Sequence, residues 1–225
     1  MEKKTPMGRI DIPHKENHPY VGDNLTRYYH IPFIRYFFLR RLTLALDFIG
    51  KMRFNSLLEI GFGSGILLRE LSKRSRHVFG VDKHEHISKV DAMAKIEGIN
   101  ARLIQSDIMC LPYKDESFDC IVSIATLEHI KELPKAISEV KRVLKKNGLA
   151  VLGFPVANLV SDFLLVLTGS LQAYKKELKE IHPSTHQNIL LEVKRQFGNI
   201  EVKSFPKCLP LDFSLYCSCA SRKSG

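Results

Sequence analysis

Short apolar runs alternate with amphipathic stretches along most of this chain. Residues 57–60, 78–81, 101–105 and 120–124 form four such runs, and the stretches between them place apolar residues three or four positions apart. Apolar runs of this length are typical of buried strands, whereas the longer spacing is typical of helices that pack on a sheet. The alternation therefore predicts an α/β fold.

Residues 31–50 are predicted to form a helix, because apolar residues recur along one face at helical spacing. Arg40, Arg41 and Asp47 interrupt the stretch, so a membrane-spanning helix is not expected. The pattern favours a helix docked on the sheet, and a basic amphipathic helix on a membrane surface stays open as the alternative. Residues 1–29 show no period and are predicted to form an irregular arm before one domain at residues 30–225.

The first of these strands runs directly into three alternate glycines, Gly61, Gly63 and Gly65. Glycine accepts a positive φ and lets a ligand approach the backbone, and the start of the following helix favours an anionic ligand group. A dinucleotide fingerprint places its third glycine five positions after the first, whereas here Gly65 lies only four after Gly61. The spacing therefore disfavours an NAD-dependent dehydrogenase.

The second strand, residues 77–82, ends in Asp82, which lies 21 positions after Gly61. In doubly wound folds an acid at this strand end accepts hydrogen bonds from the two ribose hydroxyls of a nucleotide. A carboxylate suits this contact because it only accepts hydrogen bonds. The alternative is an aspartate that caps the next helix, but the spacing favours the ribose contact.

These segments resemble the class I methyltransferases that depend on S-adenosylmethionine (SAM). The run LLEIGFGSG at residues 57–65 is similar to their motif I. The run LPYKDESFD at residues 111–119 is similar to the type 11 subgroup, which includes the ubiquinone and menaquinone methyltransferases. RVLKKNG at residues 142–148 stands where these enzymes usually have RVLKPGG, and Asn-Gly serves such a turn as well as Pro-Gly. This turn is predicted to precede the fifth strand, residues 149–154. The resemblance implies a Rossmann-like sheet of seven mostly parallel strands, the last antiparallel, with helices on both faces.

The resemblance also implies SAM as the cofactor. It assigns the ribose to Asp82, the adenine amino group to Asp107 and the face of the adenine ring to Ile108. The full set that it implies for the cofactor is Glu59, Gly61, Phe62, Gly63, Gly65, Asp82, Lys83, Ser106, Asp107, Ile108, Ser123 and Ile124. Because SAM already carries a good leaving group, such a protein has mainly to align donor and acceptor, exclude water and remove a proton where the acceptor requires it.

The segment TLEHI at residues 126–130 separates the methyltransferase classes. The Asn/Asp-Pro-Pro-aromatic motif of enzymes that methylate exocyclic base nitrogens is absent here, and neither Cys110 nor Cys120 has the proline neighbour of RNA C5 enzymes. Leu-Glu-His is instead similar to the branch that acts on small molecules and lipid precursors. His129 is the candidate general base, since an unperturbed imidazole has a pKa near neutral. Glu128 is the alternative base, and a role for the pair in shaping the pocket alone also stays open.

Two further segments are candidates for contact with the acceptor. In small enzymes of this kind an N-terminal segment often folds over the active site, so Tyr28 and Tyr29 are predicted to line the substrate pocket with His129, with simple packing as the alternative. Residues 155–181 form an insertion that joins an apolar run to a lysine-rich one. It is predicted to be a lid or a membrane-contacting helix, and ordinary core packing is equally open. The predicted acceptor is thus a small molecule or lipid-like compound, with peripheral membrane contact.

The net charge of +10 adds an RNA methyltransferase as an alternative. The basic residues are nevertheless spread along the chain, which is also typical of an ordinary solvated surface. The five cysteines form no CxxC pair and no signal peptide precedes them, so we expect reduced thiols and a cytoplasmic location. No metal site is predicted, because His14 and His18 lack a third ligand at a recognised spacing. A non-catalytic SAM-binding protein has no sequence feature in its favour, and the oligomeric state stays open.

Overall fold

The chain folds around a seven-stranded sheet. The structure is a computed structural model that describes residue 10, residues 32–156 and residues 183–225. The strands are β1 (Phe54–Ile60), β2 (Ser75–Asp82), β3 (Ala101–Gln105), β4 (Phe118–Ile124), β5 (Leu144–Pro155), β6 (Glu201–Phe205) and β7 (Tyr216–Arg222). Their order across the sheet is β3-β2-β1-β4-β5-β7-β6, and only β7 runs antiparallel to its neighbours. The predicted Rossmann-like topology, with an antiparallel last strand, is confirmed.

Helices cover both faces of this sheet and divide the core in two. On one face lie α1 (Pro32–Ile49), α2 (Leu68–Ser72) and α3 (Ile87–Ile96), and on the other lie α4 (Leu133–Val143) and α5 (His186–Phe197). Leu42, Ala45 and Ile49 of α1 are buried, and the helix packs mainly on β5 and β7. The sheet-docked interpretation of this helix is therefore confirmed for its described side chains. Within the described ranges no helix is both long and apolar enough to cross a membrane.

One predicted boundary was wrong. The Asn147-Gly148 turn was expected to precede the fifth strand, but it lies inside β5, which already pairs with β4 at Leu144. Asn147 takes a φ of +60° and its N–H donates to the Lys223 carbonyl over 2.9 Å, so the chain bulges and resumes its pairing with β4 at Leu149. A strand with such an irregularity does not show an uninterrupted apolar pattern.

The predicted arm at residues 1–29 and the insertion at residues 155–181 fall mostly outside the described residues, and so do Tyr28 and Tyr29. Ile10 is buried in the same core cluster as Leu42 of α1. Pro155 and Val156, which open the predicted insertion, complete β5 and the core on the opposite face. All five cysteines are unpaired. No cluster of three His, Cys, Asp or Glu side chains that could hold a metal ion occurs among the residues that the structure describes.

Candidate active site

The loop after β1 requires glycine at its first and last glycine positions. Gly61 has a φ of +75°, and a Cβ built on it would lie 2.0 Å from the Thr126 hydroxyl oxygen. Gly65 has a φ of +76°, and its Cβ would lie 2.7 Å from Val90 of α3. Both positions thus combine a backbone conformation that suits glycine with close packing on neighbouring elements. The Gly61 N–H donates to the Val81 carbonyl over 2.8 Å and joins the loop to the end of β2.

The middle glycine differs from the other two. Gly63 also has a positive φ, of +52°, but a Cβ built on it would meet no protein atom within 4 Å among the described residues. Its N–H donates to Asp82 Oδ2 over 2.7 Å, and its carbonyl oxygen lies 2.9 Å from His84 Nε2. The backbone of Gly63 is therefore fixed on both sides while its Cα faces open space, as a loop that cradles a ligand requires.

Asp82 lies at the end of β2 with part of its hydrogen-bonding capacity in use. Oδ2 accepts from the Gly63 N–H, and Oδ1 accepts from the His84 N–H over 3.3 Å. A carboxylate has about four acceptor positions. Among the described residues one position thus remains on each oxygen, which matches the two adjacent hydroxyls of a ribose.

Glu59, at the end of β1, is a buried acid. The residue is only 4% exposed, and its Oε2 has no hydrogen-bond partner among the described residues. Burial, and to a lesser degree the negative charge of Asp82, raise the pKa of Glu59 to about 8. The carboxyl group is thus mostly protonated at neutral pH, and a cationic ligand group beside it would favour its ionised form.

The residues after β3 form a second acidic position. Asp107 Oδ1 accepts from the Met109 N–H over 2.9 Å, and Oδ2 lies 3.2 Å from Lys83 Nζ. The Met109 hydrogen bond, and then the contact with Lys83, outweigh burial and lower the pKa of Asp107. The Ser106 N–H donates to the Asp82 carbonyl over 2.9 Å, and Ile108 is buried. These contacts hold the end of β3 beside the end of β2.

The end of β4 lies next to the glycine loop. Ser123 pairs with Ile60 of β1, and both it and Ile124 are buried. Ala125 then takes a φ of +55°, and the Thr126 hydroxyl donates to the Ile60 carbonyl over 3.3 Å. The chain therefore turns away from the sheet directly beside the loop.

The following 3-10 turn, Leu127–His129, presents an acid and an imidazole in different environments. Glu128 is 3% exposed and its Oε2 has no partner among the described residues, whereas His129 is exposed. Burial raises the pKa of Glu128 to about 7, although its own N–H and the positive charges of His129 and Arg41 act in the opposite direction. Of the two candidate bases, the carboxyl group is the one enclosed by the protein.

The structure brings the predicted cofactor residues of β1, β2 and β3 to one edge of the sheet, and the β4 residues lie beside them. Two contacts at this edge were not predicted, those of His84 with Gly63 and of Thr126 with Gly61. For His84, the sequence contains one signal, a polar side chain two positions after the strand-ending acid. A sequence signal for Thr126 is not evident, because its role depends on how β4 leaves the sheet.

These features define a Rossmann-like domain with its ligand edge at the carboxyl ends of the parallel strands. Residues 58–152 match the family model described as a methyltransferase domain of type 11. This match, which spans less than half of the chain, supports the predicted resemblance to the type 11 class I SAM-dependent methyltransferases.

Curated relatives match over part of their length. The demethylmenaquinone methyltransferase of Staphylococcus carnosus is 32% identical over 148 residues, which make up 58% of this chain and 61% of the relative. A mitochondrial arginine-hydroxylase of Mus musculus is 32% identical over 121 residues, 53% of this chain and 33% of the relative. In both cases the chain spans less than two thirds of the relative. Because these two relatives are named for different reactions, the family alone does not fix the reaction.

A solved structure has the same fold. The SAM-dependent methyltransferase of Thermotoga maritima superposes with a TM-score of 0.66 over 89% of this chain and 94% of its own, at 19% sequence identity. The predicted fold is confirmed by this match.

Proposed function

We propose that this protein transfers a methyl group from SAM to a small-molecule or lipid-like acceptor. The observation that carries the proposal is the space at Gly63, open as far as the described residues go, beside an Asp82 carboxylate that retains one acceptor position on each oxygen among those residues. When bound, SAM supplies an activated methyl group on a sulfonium leaving group, which an oxygen, nitrogen or carbon nucleophile attacks in an SN2 reaction.

The residues at the ligand edge fit the groups of this cofactor. In the proposal Asp82 accepts from the ribose hydroxyls, and Asp107 accepts from the adenine amino group against Ile108. Glu59 lies near the cationic amino group of the methionine portion, which supplies the positive charge that its buried carboxyl lacks among the described residues. Phe62, Lys83, Ser106, Ser123 and Ile124 complete the proposed cofactor set.

For the acceptor, the proposal names only a chemical class. The quinone named for the Staphylococcus carnosus relative supports an aromatic or lipid-like acceptor. Tyr28 and Tyr29 are proposed to line its pocket. Peripheral membrane contact is proposed for the insertion at residues 155–181, and the unpaired cysteines support a reducing compartment, for which we propose the cytoplasm.

Proton removal is assigned to the Leu127–His129 turn, with His129 as the proposed general base and Glu128 as the alternative. Both residues are tested by His129→Ala and Glu128→Gln in an enzyme assay with an acceptor found by screening quinone-like and phenolic compounds. Loss of the base is expected to lower kcat by about 100-fold or more while KM for the cofactor changes little. The variant that also removes the acidic limb of the pH–rate profile, where the base becomes protonated, identifies the base. If neither variant changes the rate, the turn only shapes the pocket.

The cofactor assignment is tested by calorimetric titration with S-adenosylhomocysteine. We expect micromolar binding to the wild-type protein, weakened tenfold or more in Asp82→Ala, which is about 1.4 kcal/mol. Asp91→Ala is the matched control, because Asp91 forms an ion pair with Lys95 one turn away on α3. The absence of binding to folded wild-type protein would refute the proposal. A salt-dependent mobility shift with RNA, without turnover of small acceptors, would favour the RNA alternative.

A further inference from the structure

The His84 imidazole connects the glycine loop to the chain that leads into α3. Its Nε2 lies 2.9 Å from the Gly63 carbonyl oxygen, and its Nδ1 lies 3.1 Å from the His86 backbone nitrogen. A carbonyl oxygen only accepts and a backbone N–H only donates. The neutral tautomer with its proton on Nε2 therefore satisfies both contacts at once, and Gly63 and His84 meet although they are 21 positions apart in the chain.

The ring is also held by packing. It meets Phe62 edge to face, with ring centroids 5.4 Å apart and an angle of 84° between the planes. The side chain is 20% exposed, and Nε2 lies 3.8 Å from Asp82 Oδ2. His84 is thus enclosed between two residues of the loop and the acid that the loop contacts.

Two hydrogen bonds fix Gly63, and only one of their partners is also proposed to bind the ligand. The Gly63 N–H bonds to Asp82, the carboxylate that the proposed function assigns to the ribose. The Gly63 carbonyl bonds to His84, which the ribose does not need. Without the imidazole, the loop would be held at Gly63 by Asp82 alone. The carboxylate would then have to restrain a glycine, the most flexible residue type, and bind the ligand at the same time.

We propose that His84 is a positioning residue that holds the glycine loop in the conformation that binds the cofactor. The expected effect on cofactor binding rests on the proposed function. The expected effect on the order of the loop does not. The role of His84 is to order Gly63 before the ligand arrives, so that binding does not have to supply that order.

Three substitutions at His84 distinguish the contribution of the Nε2 bond from that of the Nδ1 bond. The amide nitrogen of His84→Gln reaches about as far as Nε2 and retains a donor for the Gly63 carbonyl. The shorter His84→Asn retains an acceptor for the His86 N–H but does not reach the loop. His84→Ala removes both bonds. His86→Ala is the control, because it keeps the backbone N–H that donates to Nδ1 and removes only the neighbouring imidazole, whose centroid lies 6.1 Å from that of His84.

The first readout is amide hydrogen exchange in the free protein. The Gly65 N–H donates to the Phe62 carbonyl over 2.8 Å inside the loop and reports on its order. We expect its exchange to be about fivefold faster in His84→Ala and His84→Asn, the effect of one lost hydrogen bond, and near wild type in His84→Gln and His86→Ala. Equal exchange in all four variants would overturn the inference whether or not SAM is the ligand.

The second readout is the dissociation constant for S-adenosylhomocysteine, measured together with the melting temperature. Affinity should fall about fivefold in His84→Ala and His84→Asn and recover in His84→Gln. A purely structural role would lower affinity in step with melting temperature and without recovery in the glutamine variant, and that result would overturn the inference. If the wild type binds and His84→Ala binds equally well, the inference fails while the proposed function stands. If the folded wild type does not bind, the proposed function fails and the exchange experiment alone decides on the loop.

Discussion

Glu59→Gln is expected to change how the stability of this protein depends on pH. The glutamine keeps the size of the side chain and removes its charge. In the wild-type protein, the buried carboxyl has a pKa raised from 4.5 to about 8, first by burial and then by the charge of Asp82. Folding therefore favours the protonated form, and ionising this group in the folded protein is unfavourable.

The sign and size of the effect follow from this shift. A group whose pKa is higher in the folded protein stabilises the fold fully below its unfolded pKa, and this contribution is lost as the pH rises through the folded pKa. For Glu59 the loss therefore runs from about pH 4.5 to about pH 8. Its full size is about 5 kcal/mol on the scale of 1.4 kcal/mol per pKa unit, and about half of it falls between about pH 5 and pH 7.

The assay is urea unfolding of both proteins at pH 5, 6, 7 and 8. Other groups titrate in the same range, so the difference between the two free energies of unfolding is the quantity to plot. The glutamine variant should gain on the wild type by about 2–3 kcal/mol between pH 5 and pH 7. Glu132→Gln, at an exposed position before α4, should follow the wild type at every pH. If the Glu59→Gln and wild-type curves are parallel, Glu59 is already ionised in the folded protein and the reasoning is refuted.

The same carboxyl group should release a proton when a cationic ligand binds beside it. At pH 7 a group with a pKa of about 8 is about nine tenths protonated, so binding that ionises it releases close to one proton. Calorimetric titrations with S-adenosylhomocysteine in two buffers of different ionisation enthalpy measure this number directly. Glu59→Gln should release no proton from this position. Equal proton release by both proteins would show that the ligand does not reach Glu59.

Three further predictions concern the loop, a helix end and a strand end. Gly63→Ala and Gly98→Ala both place a side chain at a positive φ with open space around it, so each should cost about 1 kcal/mol of stability by urea unfolding, but only Gly63→Ala should weaken cofactor affinity. Thr185→Ala removes the N-cap bond to the Asn188 N–H of α5 and should cost about 1 kcal/mol, with no change in cofactor affinity. Asp119 is partly buried, but its bonds to Lys145 and Ser56 lower its pKa, so it stabilises the fold above its ordinary pKa. Asp119→Asn should therefore lower the free energy of unfolding in urea at pH 7 and leave cofactor affinity unchanged.

The features that sequence could predict are those that depend on near neighbours in the chain. The alternation of apolar runs predicted the succession of strands and helices, and the glycine spacing with Asp82 predicted the sheet edge at which we propose that the cofactor binds. Such local patterns do not determine the register between strands. Gly63 meets His84 only because β1 and β2 pair in parallel, and Gly61 needs its bare Cα only because Thr126 turns beside it. The relative burial of Glu128 and His129 also depends on elements distant in the sequence.

The charge of the whole chain and the charge of its ligand edge differ in sign. The chain carries +10, yet two acids, Glu59 and Asp82, adjoin the glycine loop, and the charge of Asp82 already contributes to the raised pKa of its buried neighbour. A phosphate placed at this edge would add negative charge beside Asp82 and raise the cost of ionising Glu59 further. A cationic amino group would lower that cost. The electrostatics of the site therefore agree with the glycine spacing in disfavouring a dinucleotide, and they favour a nucleoside ligand that carries positive charge in place of phosphate.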